Sequence, residues 1–280
     1  MRSFKHSSEI LKHLKSKNYK KIGLVPTMGS LHMGHIKLIQ KCLMECDETI
    51  VSIFVNPTQF NNKIDLAKYP RSIEKDIEVL TAVNPNIIIY TPDQSDLYEH
   101  PAKAGIFDLD GMDKVIEGKF RKGHFQGVAT VVKRLIEKFS PDYAFFGEKD
   151  FQQMLIIKKL IDKYNLNVKV RSIKTVRDEN GLALSSRNFL LDGETINDAK
   201  IIYNSLCSVK SKIKTDSFDE IKHFISDLYL ESEKFDLEYF CIAEANSLKK
   251  VKLFNHKIKI RAFISVQVKG IRLIDNIALN

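Results

Sequence analysis

The 280-residue sequence predicts an α/β protein: a doubly wound parallel sheet followed by a smaller α+β domain. Three observations carry this. Strand-like and helix-like periods alternate between residues 22 and 173. The strand-like runs are near-continuous in Ile, Val and Phe, as in strands covered on both faces by crossover helices. Beyond about residue 176 the order changes to two helical stretches and then strands of alternating polarity.

In chain order, "MRSFKHSSEILKHLKSKN" reads as an amphipathic helix with Ile10, Leu11 and Leu14 on one side. Strands are expected at 22–25, 49–55, 87–90, 143–146 and 168–173. Helices are expected between them at 34–46, 71–83, 127–139 and 150–164, with right-handed crossovers. "TVRDENG" interrupts the pattern with polar residues and Gly181, so the domains are expected at 1–175 and 176–280. Helices at 193–213 and 218–233 and strands at 237–243 and 258–268 complete the second domain.

Composition narrows the class. Hydrophobic residues at 44% and charged residues at 28% suit a globular chain able to bury a core. No apolar run reaches the roughly 18 residues of a membrane-spanning helix, and the basic N-terminus lacks the apolar segment of a secretory signal, so a cytoplasmic protein is expected. Cys42, Cys46, Cys207 and Cys241 form no CxxC pair, which argues against a zinc ribbon or a disulfide scaffold. The net charge of +9 suits nucleic acid or small anions. Its lysines are spread among acids, however, and "SLKKVKLFNHKIKI" lacks arginine and interleaved stacking aromatics. A solvated surface and no nucleic-acid partner are expected.

In an open parallel sheet, ligands bind beyond the carboxyl ends of the strands. Three motifs fall there: "MGSLHMGH" at 28–35, "NPTQF" at 56–60 and "GEKDFQQ" at 147–153. Gly29 and Gly34 allow tight turning, and the helix start that follows is expected to offer unpaired N–H groups to an anion, joined by His32 and His35. A metal would need a third ligand beside the two histidines. Gln59 offers a neutral amide at a strand end or caps the turn after Pro57. Asp150 is expected as N-cap or first-turn residue of the next helix, and Lys149 sits against that helix's dipole, a placement that an anion would repay. "GLALSSRN" places two hydroxyls and Arg187 in an expected mobile loop between the domains, and "FRKGHFQGVAT" places Arg121 and His124 before a helix.

Taken together, "PTMGSLHMGH", "SIFVNPTQF", "YPR", "GHFQGV", "FGEKDFQQ", "GLALSSRN" and "RLIDN" closely resemble the pantothenate synthetase (pantoate–beta-alanine ligase) family of the HxGH nucleotidyltransferase superfamily, from about residue 20 onward. The resemblance implies a Rossmann-like nucleotide-binding domain and condensation of (R)-pantoate with beta-alanine. ATP would be consumed to AMP and pyrophosphate through an enzyme-bound pantoyl adenylate. It implies ATP contacts from Met28, Gly29, Ser30, Leu31, His32, Met33, Gly34 and His35, from Gly147, Glu148, Lys149 and Asp150, and from Val176, Leu184, Ser185, Ser186 and Arg187. Among these, His32 and His35 would meet the phosphates, with His35 as proton donor. Lys149 would stabilise the α-phosphate, Val176 would touch adenine, and Leu184 to Arg187 would close over the phosphates. Gln59 and Gln153 would bind pantoate, Gln59 also beta-alanine, and Arg121 would be a further pantoate ligand. Its run is "RKGHF", with Lys122 where the family commonly has proline, so the loop is expected to be less rigid. Mg²⁺ is implied as the partner of ATP, and a homodimer as the assembly. The rival readings are an adenylyltransferase acting on another carboxylic acid, an aminoacyl-tRNA synthetase fragment, and a non-catalytic nucleotide- or RNA-binding module.

Overall fold

The Ile- and Val-rich runs become neighbouring strands of a parallel sheet, as strands with two apolar faces must. The computed structural model describes residues 2–17, 19–98, 101–251 and 253–280 and divides into two units, Met1–Thr175 and Val176–Asn280. The first unit contains β1 (Arg2–Phe4), α1 (Ser7–Ser16), β2 (Ile22–Thr27), α2 (Met33–Glu45), β3 (Glu48–Ile53), α3 (Lys63–Lys68), α4 (Ile73–Val83) and β4 (Ile88–Tyr90). It continues with α5 (Gln94–Leu97), α6 (Glu117–Phe120), α7 (His124–Phe139), β5 (Tyr143–Gly147), α8 (Phe151–Lys163) and β6 (Lys169–Ile173). The sheet order is β1-β4-β3-β2-β5-β6, every pair parallel. The winding reverses between β2 and β5, and helices cover the sheet as a doubly wound fold requires.

The core explains the apolar runs. Val25, Val51, Ile89 and Phe145 from four adjacent strands are buried with Ile36, Ile39 and Cys42 of α2. Met154, Ile157 and Ile161 form the buried stripe of α8, and all four cysteines are free thiols. No helix among the described residues is long and apolar enough to cross a membrane.

The N-terminal expectation needs correction. Within 1–18, of which Met1 and Asn18 lie outside the described residues, only Ser7–Ser16 is helical; Arg2–Phe4 is an edge strand in register with Ile88 to Tyr90. Three half-buried residues carry no readable period, so the strand is set by its partner. The short helix α3 was likewise not anticipated; the Asn62 side chain caps it by accepting from Ile64 N at 2.8 Å.

In the second unit α9 (Gly193–Asp198), α10 (Lys200–Lys212) and α11 (Phe218–Leu230) precede the antiparallel sheet β7 (Asp236–Glu244), β8 (Ile260–Val268), β9 (Ile271–Ala278), in that order. The single helix expected over 193–213 is broken at Ala199, whose ψ of −7° departs from helical geometry. The last strand, with "RLIDN" inside it, was not anticipated as a strand, because its charged residues blur the alternation. Ile202, Leu206, Ile221 and Ile225 of the helices share one core with Ile260, Ile264 and Val266 of the sheet. Lys252, part of the basic stretch, lies outside the described residues.

Candidate active site

Strand β2 lies between β3 and β5, in register with Glu48 to Ile53 on one side and with Tyr143 and Ala144 on the other. The segments leaving β2, β3 and β5 therefore emerge at one sheet edge, beside the reversal of winding where such folds bind ligands.

The β2–α2 turn is pinned by the carboxylate of Asp76 and by its own two imidazoles. Gly29 and Ser30 both adopt left-handed conformations, with φ of 78° and 52°. The two N–H groups that follow point at one carboxylate: Ser30 N donates to Asp76 Oδ2 at 2.8 Å and Leu31 N to Asp76 Oδ1 at 2.7 Å. A Cβ on Gly29 would stand 2.8 Å from that same Oδ2, so only glycine allows the carboxylate in. Next, the imidazoles form a reciprocal cap. His32 Nδ1 accepts from Gly34 N at 3.1 Å, and His35 Nδ1 accepts from His32 N at 3.3 Å. The expectation of unpaired helix-start amides holds only in part: Gly34 N, like Ser30, Leu31 and His32 N ahead of the helix, donates within the protein, whereas Met33 N has no acceptor among the described residues.

The same cap assigns the tautomers. A ring nitrogen that accepts an N–H carries no proton, so neutral His32 and His35 hold their protons on Nε2 and present Nε2–H donors. Both are held neutral. Burial lowers His32 to about 4, with Lys149's charge adding to this and Asp150 opposing it. His35 is held well below its ordinary value by burial, then by His32 and Lys149. The rings lie 4.1 Å apart, centre to centre.

After β3, Asn56 organises the turn Pro57–Gln59. Its Oδ1 accepts from Thr58 N, Thr58 Oγ1 and Tyr98 OH, and its Nδ2 donates to Gln59 Oε1 at 3.1 Å and Gly127 O at 3.1 Å. Asn56, not Gln59, is the residue that caps this turn. Gln59 Nε2 donates to Met28 Sδ at 2.9 Å, joining the two strand-end segments. Gly127 on α7 lets that helix lie directly on the turn, since a Cβ there would stand 2.2 Å from Thr58 O. His124 Nδ1–H donates to Gln59 O at 2.8 Å, and Arg121 Nη1 donates to His124 Nε2 at 3.2 Å and Glu117 Oε1 at 3.3 Å. Arg121 is thus linked to Gln59 through His124. Lys122 is exposed, beside Gly123 at φ 80°.

Beyond β5, Gly147 leads into the turn Glu148–Asp150, so Lys149 precedes α8 rather than sitting in it. Asp150 occupies the N-cap position of α8 but makes no capping bond; its Oδ1 lies 3.6 Å from Lys149 Nζ. Gln152 is spent internally, on Glu117 N, Met112 O and Val115 O. Gln153, one residue on, is half-buried with no hydrogen-bond partner among the described residues.

The remaining expected residues lie in the second unit. Leu184 N donates to Val176 O at 3.0 Å, so these two are backbone neighbours. Ser185 caps the turn Ser186–Leu190 by accepting from Arg187 N at 3.2 Å, and Ser186 is buried. The segment is a capped turn inside this unit, not a loop between domains. Behind it, Arg177 makes a two-pronged pair with Asp275, at 2.5 and 2.9 Å, donates to Gly181 O, and stacks 3.8 Å over the Tyr203 ring.

Sequence reasoning missed Asp76, Asn56 and the Arg177–Asp275 pair. Asp76 did leave a signal: an acidic residue four before Leu80, on the buried side of an amphipathic helix.

A doubly wound sheet with a histidine-bearing turn beside its switch point has the build of a ligand-binding α/β fold. A family profile described as pantoate-beta-alanine ligase matches residues 1–278. Pantothenate synthetase of Flavobacterium psychrophilum is 45% identical over 278 residues, 99% of each chain. Pantothenate synthetase from Thermus thermophilus superposes with a TM-score of 0.91 at 32% identity, covering 100% of this chain and 99% of that one. The Francisella tularensis pantoate-beta-alanine ligase, crystallised with a β,γ-ATP compound and beta-alanine, gives a TM-score of 0.80 at 34% identity, covering 100% and 98%. The chain belongs to the pantoate-beta-alanine ligase family.

Proposed function

We propose that the β2–α2 turn, Gln59, Gln153 and Lys149 perform the family's reaction in this chain. That reaction is the ATP-dependent condensation of (R)-pantoate with beta-alanine to pantothenate, AMP and pyrophosphate, through an enzyme-bound pantoyl adenylate. The carrying observation is the histidine cap: two neutral imidazoles with Nε2–H donors at the switch point, close enough to Lys149 to feel its charge.

Pantoate's carboxylate is already ionised and needs no base. Its oxygen attacks the α-phosphorus and pyrophosphate leaves. His32 and His35 Nε2–H bond the phosphate oxygens, and Lys149 neutralises charge on the α-phosphate. As neutral rings they act as hydrogen-bond donors to the phosphate oxygens, and in this reading His35 is the donor to the departing oxygen. The unpartnered Gln153 amide and the clamped Gln59 amide hold pantoate's polar groups, with Gln59 also meeting beta-alanine. The amine of beta-alanine then attacks the acyl carbon and expels AMP.

Met28 to His35, Gly147 to Asp150, Val176 and Leu184 to Arg187 make up the ATP site in this reading, with Ser185, Ser186 and Arg187 on the phosphates. Arg121, hydrogen-bonded to His124, is a further pantoate ligand in this reading. Among the described residues no three His, Cys, Asp or Glu side chains cluster for a metal. Mg²⁺ would enter with the ATP substrate, held by its phosphates. A homodimer in the cytoplasm completes the proposal, and sedimentation analysis checks the assembly.

Pyrophosphate release from MgATP, measured with pantoate alone and with both acids, tests the reading. A pantoate-dependent burst, converted to steady turnover by beta-alanine, is expected. A folded, ATP-binding protein that releases none would overturn it.

A further inference from the structure

The strongest unassigned feature is the buried carboxylate of Asp76. It is 3% exposed, both oxygens accept backbone N–H groups, and among the described residues no cation pairs with it. Successive backbone N–H groups in a turn can form a concavity that binds anions. Here the protein fills that concavity with its own carboxylate, 46 residues away on α4. We propose that Asp76 is a positioning residue for the adenylation step: by holding Ser30 and Leu31 it fixes the turn that aims the His32 and His35 donors at phosphate.

The chain of contacts is short. Leu31 N is bound by Asp76; the next N–H, that of His32, is bound by His35 Nδ1; and Gly34 N is bound by His32 Nδ1. Each imidazole is oriented by a backbone N–H whose own placement follows from the residue before it. Releasing Ser30 and Leu31 frees a turn whose non-glycine residue Ser30 sits at a positive φ, a conformation that only its surroundings sustain. Occupation of the backbone concavity also has a chemical effect. It withdraws the Ser30 and Leu31 amides from the ligand and leaves the imidazole N–H groups as fixed donors beside them. Burial pushes the Asp76 carboxyl up, so the two N–H bonds only partly offset the loss of water. A carboxylate retained under those conditions is consistent with a demand for fixed geometry.

This proposal rests on the β2–α2 turn being the phosphate site, which wild-type turnover tests separately. The decisive variant is Asp76→Asn, which keeps one acceptor and sets an NH₂ against the other N–H. Its kcat for pyrophosphate release should fall about 100-fold while KM for pantoate stays within about threefold. In ¹⁵N imidazole spectra, His35 should leave the pure Nε2–H signature of the wild type. A variant with lowered thermal stability but unchanged kcat and imidazole signals would show Asp76 to be structural only and overturn the proposal. Should Asp76→Asn not fold, hydrogen exchange on the wild type decides. Ser30 and Leu31 amides, outside any helix or strand, should be as protected as the middle of α2; rapid exchange would overturn the proposal.

Discussion

In the β2–α2 turn the backbone donors of Ser30, Leu31, His32 and Gly34 are all taken by the protein's own side chains. The β5–α8 turn, Glu148–Asp150, has no side-chain cap, and Gly147 before it has open space where a Cβ would stand. In the proposed phosphate site the contrast divides the work. One turn supplies neutral donors whose directions are fixed before the ligand arrives, so little reorganisation is needed at reaction. The other supplies a full positive charge on Lys149 in a less constrained setting, and that charge helps keep the imidazoles neutral.

Perturbing the charge-bearing turn should therefore cost chemistry without costing the fold. Lys149→Ala is expected to slow single-turnover adenylate formation about 10²- to 10³-fold with an unchanged melting temperature. Near-normal adenylate formation would erase the division. Perturbing the pinned turn should cost both. Gly29→Ala, forced to a φ of 78° and against Asp76 Oδ2 and Ile53 Cγ2, should lose roughly 2 kcal/mol in urea unfolding together with activity.

The pinned turn should also show in the pH dependence of stability. Folded His32 titrates near 4 against an ordinary 6.5, so below pH 6.5 the unfolded chain binds protons that the folded chain refuses. Its contribution is complete above pH 6.5 and is lost as pH falls toward 4. Urea midpoints at pH 7 and pH 5 should differ less in His32→Asn than in the wild type. The smallest effect belongs to Gly147→Ala, at an ordinary φ of −83° with nothing within 4 Å. Its stability should stay within about 0.5 kcal/mol, and any rise in KM for ATP would then report close approach of the nucleotide.

What could be read from the sequence was local. Buried strands of five or six residues announce themselves by unbroken Ile, Val and Phe, and the turns at their carboxyl ends then follow by counting. Arg2–Phe4 could not be read that way, since its pairing with β4 is decided across the chain. The histidines, Lys149 and the two glutamines were visible as unusual residue types at strand ends. Their supports were not, because each acts over a long separation: Asp76 on Ser30, His124 on Gln59 O, Asp275 on Arg177. The cap that sets the imidazole tautomers is local, yet it needs Nδ1 geometry, which residue spacing alone does not reveal.

Arg177 and Asp275 stand 98 positions apart, at the two ends of the second unit. During synthesis the turn around Ser185 to Arg187 emerges long before the Asp275 carboxylate that anchors Arg177 behind it. At translation speeds of about 5–20 residues per second, several seconds separate the two. A chain that stops short of β9 leaves a guanidinium made for burial without its counter-ion, a loss of about 3–5 kcal/mol. The second unit is thereby closed on itself, by a contact between its earliest segment and the strand β9 that carries Asp275.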